Sequence, residues 1–508
     1  NKGMNFKRNL FVITTALVGA LALTGCSFEE NVFKHFEFIE EKEDTREDYL
    51  NFKVKDHRND EEIDLGDAYS LFRDYGGHSN IKSIGEQKII VVPVEFPDYT
   101  VDKLSLTNEQ YIDNINRAFF GSAKNNSYVS VGEYFNKSSY GKLRLDGKVC
   151  DKVYTFPFTI KQVLDNKFER DVLANKIYPK VIEWYEENYD DIADYEVEGL
   201  KTDKNVPIYM VYTTPSVSNP KEDEAGFFWA YTFNDVPLSW SSSSFMYLQY
   251  GEPDAHTYIH ETGHLLGLTD YYPTIIPEEV QTKTKYRAEE VEVEPIIIPE
   301  PTARIDMMDC SIGDETSFSK MYLNWTRPTY VNQSQQVTIN SFTETGDVVL
   351  LSNNWNGTPF DEYYLFEYYT PTGLNSNDIS VGNSEAKLPK VPGVKIYHVD
   401  ARLAYFENKK PKSYCDYGSA TISTTIHVGL AHDNNTYLEP DDFEKNYLYT
   451  LILNHEKGMK AGAAVDANLF RYGDEIPELK LNNGETLNYK ISLIETAFSK
   501  VTINFEKI

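Results

Sequence analysis

Cysteine and histidine are scarce in this sequence. Only 4 cysteines and 10 histidines occur among 508 residues. The cysteines stand far apart in the chain, so they do not show the dense spacing of a disulfide scaffold. Stability must therefore come from hydrophobic cores, and a chain with 41% hydrophobic and 14% aromatic residues is long enough to build two or three domains with large cores.

Positive charge is also in deficit. The chain has 49 Lys and Arg against 79 Asp and Glu, which gives a formal net charge of -30. A field of this sign repels phosphates, which argues against a nucleic-acid partner. The sequence also has no fixed-period repeat and no glycine-rich loop of the phosphate-binding type. We therefore expect a globular protein whose chemistry must be sought at its few histidines.

The apolar run nearest the start of the sequence, residues 10–23, is short for a membrane span but has the length of a secretory signal core. Basic residues precede it, and the letters LTGC follow it and end at Cys26. This stretch resembles the lipobox of bacterial lipoproteins, which implies cleavage before Cys26 and lipidation of that residue. We expect residues 1–25 to be a lipoprotein signal peptide and the protein to be anchored at the extracellular face of a bacterial membrane. A signal peptide with an incidental cysteine is the alternative.

The rest of the chain is predicted to have an α+β fold in three parts. Residues 26–87 are acidic and lack regular apolar spacing, which is typical of a spacer; a pro-segment that confers latency is the alternative. Residues 88–328 alternate strand-like and helix-like segments. Residues 329–508 consist of short β-type runs separated by Gly, Asn, Asp and Pro, which predicts an all-β, sandwich-like domain.

Individual elements can be predicted within the middle part. The runs KIIVVPVEF (88–96) and VPIYMVYT (206–213) have the length and composition of buried strands. A helix is predicted after Thr107, which is spaced with Gln110 as a capping box, and Gly121 is predicted to end it. A further helical stretch is expected around residues 160–189.

The stretch IHETGHLLGLTDYY, residues 259–272, carries the strongest chemical signal. Helical spacing places His260 and His264 on one face, with Glu261 beside them. Two imidazole nitrogens together with carboxylate or water oxygens form a tetrahedral zinc site with an open position. An ordinary amphipathic helix with surface histidines is the alternative, but such a helix would give His264 no role.

Gly267 is expected to let the chain turn sharply, so that Asp270 supplies a third ligand. Glu278 and Glu279, in the long acidic loop that follows, are the alternatives for this place. A structural calcium ion is a further expectation, since residues 438–446 carry enough carboxylates, although without a recognised loop spacing.

Further segments accompany the histidine stretch. They are VVPVEFPDY (91–99), VGEYFNKSSYGKLRLDG (131–147), DMMDCSIGDETSFSKMYLNWTRP (306–328), DEYYLFEYYTPTGLN (361–375) and PGVKIYHVDARL (392–403). Together with HETGHLLGLTDYY they resemble the immune-inhibitor-A family of secreted metallopeptidases, relatives of the metzincins. The resemblance covers residues 88–403.

The resemblance implies a metzincin-like zinc endopeptidase with one catalytic Zn²⁺ and protein or peptide substrates. His260 and His264 would be zinc ligands, Glu261 the general base and acid, and Met308 part of a Met-turn beneath the metal. We expect a monomer. The competing hypothesis is a non-catalytic surface lipoprotein whose β domain binds polymers or host proteins. A glutamate left free beside two histidines argues against that hypothesis, because structural zinc sites ordinarily close with a fourth protein ligand.

Overall fold

The chain adopts a mixed architecture with several sheets and few helices. The computed structural model describes residues 33–42, 53–56, 61–64, 81–122, 129–166, 170–197, 206–213, 230–233, 236–243, 254–272, 301–309, 311, 313–376, 388–407, 410–415, 421–422, 427–435, 446–454 and 464–508. The α-helices within these ranges are α1 (Asn108–Phe120), α2 (Val131–Ser138), α3 (Ile160–Asp165), α4 (Arg170–Asn188), α5 (His256–Leu265), α6 (Ser317–Tyr322) and α7 (Phe342–Thr345). Short 3-10 helices span Val101–Leu104, Ile192–Tyr195, Gly373–Asn375 and Asp466–Asn468.

The strands fall into two groups along the chain. Those before the histidine helix are β1 (Lys53–Asp56), β2 (Glu61–Asp64), β3 (Gly85–Glu95), β4 (Leu143–Val149), β5 (Tyr154–Thr155), β6 (Ile208–Tyr212), β7 (Tyr231–Phe233) and β8 (Leu238–Ser242). Those after it are β9 (Thr329–Val331), β10 (Gln335–Asn340), β11 (Val348–Leu351), β12 (Glu362–Tyr369), β13 (Gly393–Asp400), β14 (Leu403–Glu407), β15 (Lys410–Cys415), β16 (Thr421–Ile422), β17 (His427–Leu430), β18 (Tyr449–Ile452), β19 (Tyr489–Ala497) and β20 (Lys500–Lys507).

The sheet that carries the histidine helix has the strand order β4-β3-β6-β8-β7, with β5 also paired to β3. Strand β3 runs parallel to β4, β5 and β6, and β6 runs parallel to β8. Strand β7 runs antiparallel to β8 and lies at the end of the strand order.

Both faces of this sheet are buried. Because side chains alternate along a strand, Ile89 and Val91 of β3 join one core, which contains α1, α2 and α5. Ile90 and Val92 join a second core, which contains α3 and α4. Burial on both faces explains why β3 reads in the sequence as a continuous apolar run rather than as an alternating one.

The later strands form further sheets, of which two share a core. The sheet β18-β13-β12-β11-β9 packs against the sheet β10-β20-β19, with the rings of Phe366 and Phe505 5.3 Å apart between their centres. The other face of the five-stranded sheet, including Leu365 and Tyr397, belongs to the same core as α5. Residues 33–508 therefore cluster as one compact unit. The domain boundary at residue 328 stays a prediction from sequence texture.

Several predicted elements are confirmed in detail. Helix α1 begins after Thr107, whose hydroxyl accepts a hydrogen bond from the Gln110 N–H, while the Gln110 side chain accepts one from the Thr107 N–H. It ends before Gly121, as predicted. The helical stretch expected around residues 160–189 contains two helices. The first, α3, ends at Asp165, and the side-chain amide of the next residue, Asn166, donates to the Gln162 carbonyl.

Within the predicted spacer or pro-segment, residues 33–42 pack against the body of the protein; we call them the N-terminal clip. The Phe36 N–H donates to the Phe120 carbonyl at 3.0 Å, and the Lys42 N–H donates to the Tyr140 carbonyl at 3.0 Å. Phe36 is only 3% exposed, and its ring lies so close to Gly132 that a β-carbon there would be 2.6 Å from it. Any larger residue than glycine at position 132 would displace this ring.

We predict that Phe36→Ala lowers the free energy of unfolding by about 3–5 kcal/mol, the usual cost of truncating a buried phenylalanine. The measurement is urea or thermal unfolding of the purified protein. Phe498→Ala is the matched control, because Phe498 is 62% exposed and its loss should cost no more than about 0.5 kcal/mol. Equal effects of the two substitutions would show that the clip does not contribute to the folded core.

Among the residues that the structure describes, no helix combines the length and the apolar character that crossing a membrane requires. The predicted signal segment and Cys26 lie outside the described residues.

Candidate metal centre

Helix α5 ends in a tight turn that sends the chain back towards its own histidines. Gly267 has a positive φ of +100°, a conformation that favours glycine. The Gly267 N–H donates to the His264 carbonyl and the Leu268 N–H donates to the Gly263 carbonyl, both at 3.0 Å, which is the bonding pattern of a Schellman cap. The turn predicted at Gly267 is confirmed, and it brings Asp270 back beside the helix.

The Asp270 carboxylate lies between the two histidine rings. Its Oδ1 atom is 2.9 Å from His260 Nε2 and 3.3 Å from His264 Nε2. The two rings are perpendicular, with centres 4.9 Å apart. Two nitrogens and one oxygen therefore converge from a single turn of helix and the loop that follows it.

Backbone carbonyls fix the opposite nitrogen of each ring. His260 Nδ1 is 3.0 Å from the Met307 carbonyl, and His264 Nδ1 is 2.9 Å from the Leu268 carbonyl. A carbonyl can only accept, so each Nδ1 carries a proton and donates it. Both Nε2 atoms are thereby aimed at one point, which is the arrangement found for histidines that bind metals.

The contacts with Asp270 couple the charges of the three groups. Burial disfavours the charged imidazolium, but the hydrogen bond and charge of Asp270 outweigh it and raise the pKa of His264 to about 9. The pKa of His260 is raised for the same reason. Burial also opposes the carboxylate, yet the two imidazoles hold the pKa of Asp270 far below its usual range. The cluster therefore favours a negatively charged oxygen between the two histidine nitrogens.

Glu261 adds a carboxylate to this centre without joining the contact between the histidines and Asp270. One of its carboxylate oxygens lies within 4.8 Å of a ring nitrogen of each histidine. Its Oε2 atom accepts a hydrogen bond from the Thr232 hydroxyl at 2.9 Å. The residue is only 5% exposed, so its carboxylate is largely shielded from bulk water.

Met308 lies directly beneath the histidine helix. A β-carbon on Gly263 would be 2.2 Å from the Met308 sulfur, so only glycine allows this approach. The backbone around Met308 is held on both sides, because its N–H donates to Asp306 Oδ1 at 2.7 Å and its carbonyl accepts from the Tyr271 N–H at 2.9 Å. The turn that carries Met308 is thus tied to the loop that carries Asp270.

The structure brings together five residues singled out in the sequence: His260, Glu261, His264, Asp270 and Met308. The alternative ligands Glu278 and Glu279 lie outside the described residues, as do Cys26 and nearly all of the candidate calcium segment, residues 438–445.

Two further residues support the centre, and the partners that they bond could not be predicted from the sequence. Thr232 belongs to a three-residue strand too short for a recognisable pattern. Asp306, fully buried, bonds the Met308 N–H and also accepts from the Thr316 N–H at 3.0 Å. Its position two residues before the methionine suggests a turn, but its partner Thr316 is not predictable from spacing.

Comparison with known proteins adds no assignment to this geometry. A scan of the chain against protein-family models finds no match, and a search of curated proteins finds no significant match either.

Proposed function

We propose that this chain is a zinc-dependent endopeptidase that hydrolyses peptide bonds in proteins. The observation that carries the proposal is the convergence of His260 Nε2, His264 Nε2 and Asp270 Oδ1, beside a glutamate that takes no part in their contact. A structural zinc site does not require an additional carboxylate that is not a metal ligand, whereas hydrolysis needs a base beside the metal.

The chemistry of the donor set fits zinc. Two imidazole nitrogens and one carboxylate oxygen are ligands that Zn²⁺ accepts in catalytic sites with three protein ligands and an open position. The Nδ1 bonds to the carbonyls of Met307 and Leu268 are the supporting contacts that such histidines usually have. His260, His264 and Asp270 would therefore hold the ion.

Zinc, when bound, supplies Lewis acidity that polarises a carbonyl and acidifies a water molecule. Glu261 takes the proton of the attacking water and returns it to the leaving amine. Low exposure of Glu261 limits competition from bulk water for this proton. The backbone bonds to His260 and His264 keep both rings oriented throughout.

We also propose that the fold is metzincin-like, with a β-sandwich following the catalytic part. Support comes from Met308 packed beneath Gly263 of the histidine helix, and from the core shared by two sheets after residue 328. We further propose attachment to the outer face of a bacterial membrane through Cys26, on the strength of the LTGC motif.

We predict that the purified protein contains about one zinc ion per chain and that a chelator abolishes its cleavage of unstructured casein. Adding zinc back should restore the activity, because the ligands are folded in place around the site. Metal analysis and a gel-based cleavage assay provide the measurement.

Two results would contradict the proposal. Cleavage that persists after complete removal of the metal would exclude a zinc mechanism. A chain without zinc and without cleavage would favour the competing hypothesis, a surface lipoprotein that binds polymers or host proteins.

A further inference from the structure

Strand β7 lies at the edge of its sheet, beside helix α5, and its short sequence is YTF. The ring of Tyr231 packs edge-on against Trp240, with ring centres 4.9 Å apart. It also packs edge-on against Phe233, with ring centres 5.1 Å apart. These aromatic residues lie against the core that contains α3 and α4. Because side chains alternate along a strand, Thr232 must point to the opposite face, where α5 lies.

The Thr232 hydroxyl meets Glu261 on that face. Its Oγ1 atom lies 2.9 Å from Glu261 Oε2 and 3.1 Å from the Glu261 carbonyl. It also lies 3.2 Å from Ser239 Oγ, on the residue paired with Thr232 in β8. A hydroxyl has a single proton, and the charged carboxylate is the strongest of these acceptors.

From these contacts we propose that Thr232 is a positioning residue, which holds one carboxylate oxygen of Glu261 so that the other is presented to the water at the metal centre. This inference rests on the proposed peptidase function. Among the described residues, Oε1 of Glu261 accepts no hydrogen bond, whereas Oε2 accepts the one from Thr232. Oε1 is therefore the oxygen that remains to take a proton.

The role follows from the freedom of a glutamate side chain. Glu261 has three rotatable bonds, and its catalytic use requires one of the resulting conformers. A hydrogen bond to a charged acceptor fixes that conformer before substrate arrives. The strand that supplies the bond is itself anchored by Tyr231 against Trp240.

The test compares Thr232→Val, which keeps the shape of the side chain but removes the hydroxyl, with Thr232→Ser, which keeps the hydroxyl. For Thr232→Val we expect kcat to fall by about tenfold to a hundredfold, as for loss of one hydrogen bond to a charged group, with KM little changed. Thr232→Ser should stay within about threefold of the wild-type kcat by the same reasoning. Thr338→Val is the matched control, because Thr338 bonds Thr502 at 2.8 Å in a different sheet.

Two measurements besides turnover are needed. Zinc content should stay at one per chain in all variants, because Thr232 touches none of the three ligands in the described contacts. A crystal structure of Thr232→Val should show Glu261 in more than one rotamer, and that of Thr232→Ser should show a single one.

The outcomes separate this inference from the function on which it rests. If the wild-type protein shows no cleavage, or Glu261→Gln cleaves as well as wild type, the peptidase proposal fails, and the inference fails with it. If cleavage depends on Glu261 but Thr232→Val keeps wild-type kcat, only the positioning role is wrong. Equal losses in the Val and Ser variants would also overturn it, since they would assign the effect to packing.

Discussion

Glu261→Gln is expected to lower kcat for peptide cleavage by about 10²–10⁴-fold, the range that a general base contributes. The amide keeps the size of the side chain but cannot take up the proton of the attacking water. His260, His264 and Asp270 are unchanged, so zinc content should stay at about one per chain. The measurement is steady-state cleavage of a fluorogenic peptide together with metal analysis of the same sample.

A matched control substitution makes this result specific. Glu495→Gln, at an exposed glutamate of β19, should leave cleavage unchanged because it removes the same charge elsewhere. Near-wild-type turnover in Glu261→Gln would show that Glu261 is not the general base. Loss of zinc from that variant would instead show that Glu261 is a zinc ligand.

Asp270→Ala is expected to weaken zinc binding by more than about a hundredfold, since loss of a group that merely supports a ligand already costs 10–100-fold. In the structure, Asp270 Oδ1 contacts both histidine Nε2 atoms, so its removal takes one of three converging donors. Competition with a zinc-binding dye measures the change in affinity. Cleavage should fall in parallel at limiting zinc.

The control is the double substitution of Glu278 and Glu279 by alanine, which removes the alternative ligands suggested by the sequence. We expect this variant to keep wild-type zinc affinity. The reverse pattern, in which Asp270→Ala binds zinc tightly and the double variant loses zinc affinity, would show that the third ligand lies in the acidic loop.

The elements predicted best from the sequence are those whose signals are local. Thr107 and Gln110 specify the start of α1 within four residues, and Gly267 specifies the end of α5. The position of Asp270 follows from that turn, so the convergence of three donors could be anticipated before the fold was known.

The contacts that escaped prediction join residues far apart in sequence. The bond from Thr232 to Glu261 depends on the pairing of β7 with β8 and on the packing of both against α5. The five-stranded sheet, with both faces buried, likewise joins two parts that differ in sequence texture. Pairing of distant strands carries no local signature, and a three-residue strand has too few side chains to show a period.

The N-terminal clip limits how the chain could be matured by proteolysis. Phe36 lies in the core, and its backbone bonds the end of α1 at Phe120. A cut between Lys42 and Ile81 would sever the chain but leave the clip seated by the same contacts, as a peptide bound without a covalent link. Activation by release of a pro-segment that includes the clip would therefore require these contacts to be broken as well as a peptide bond.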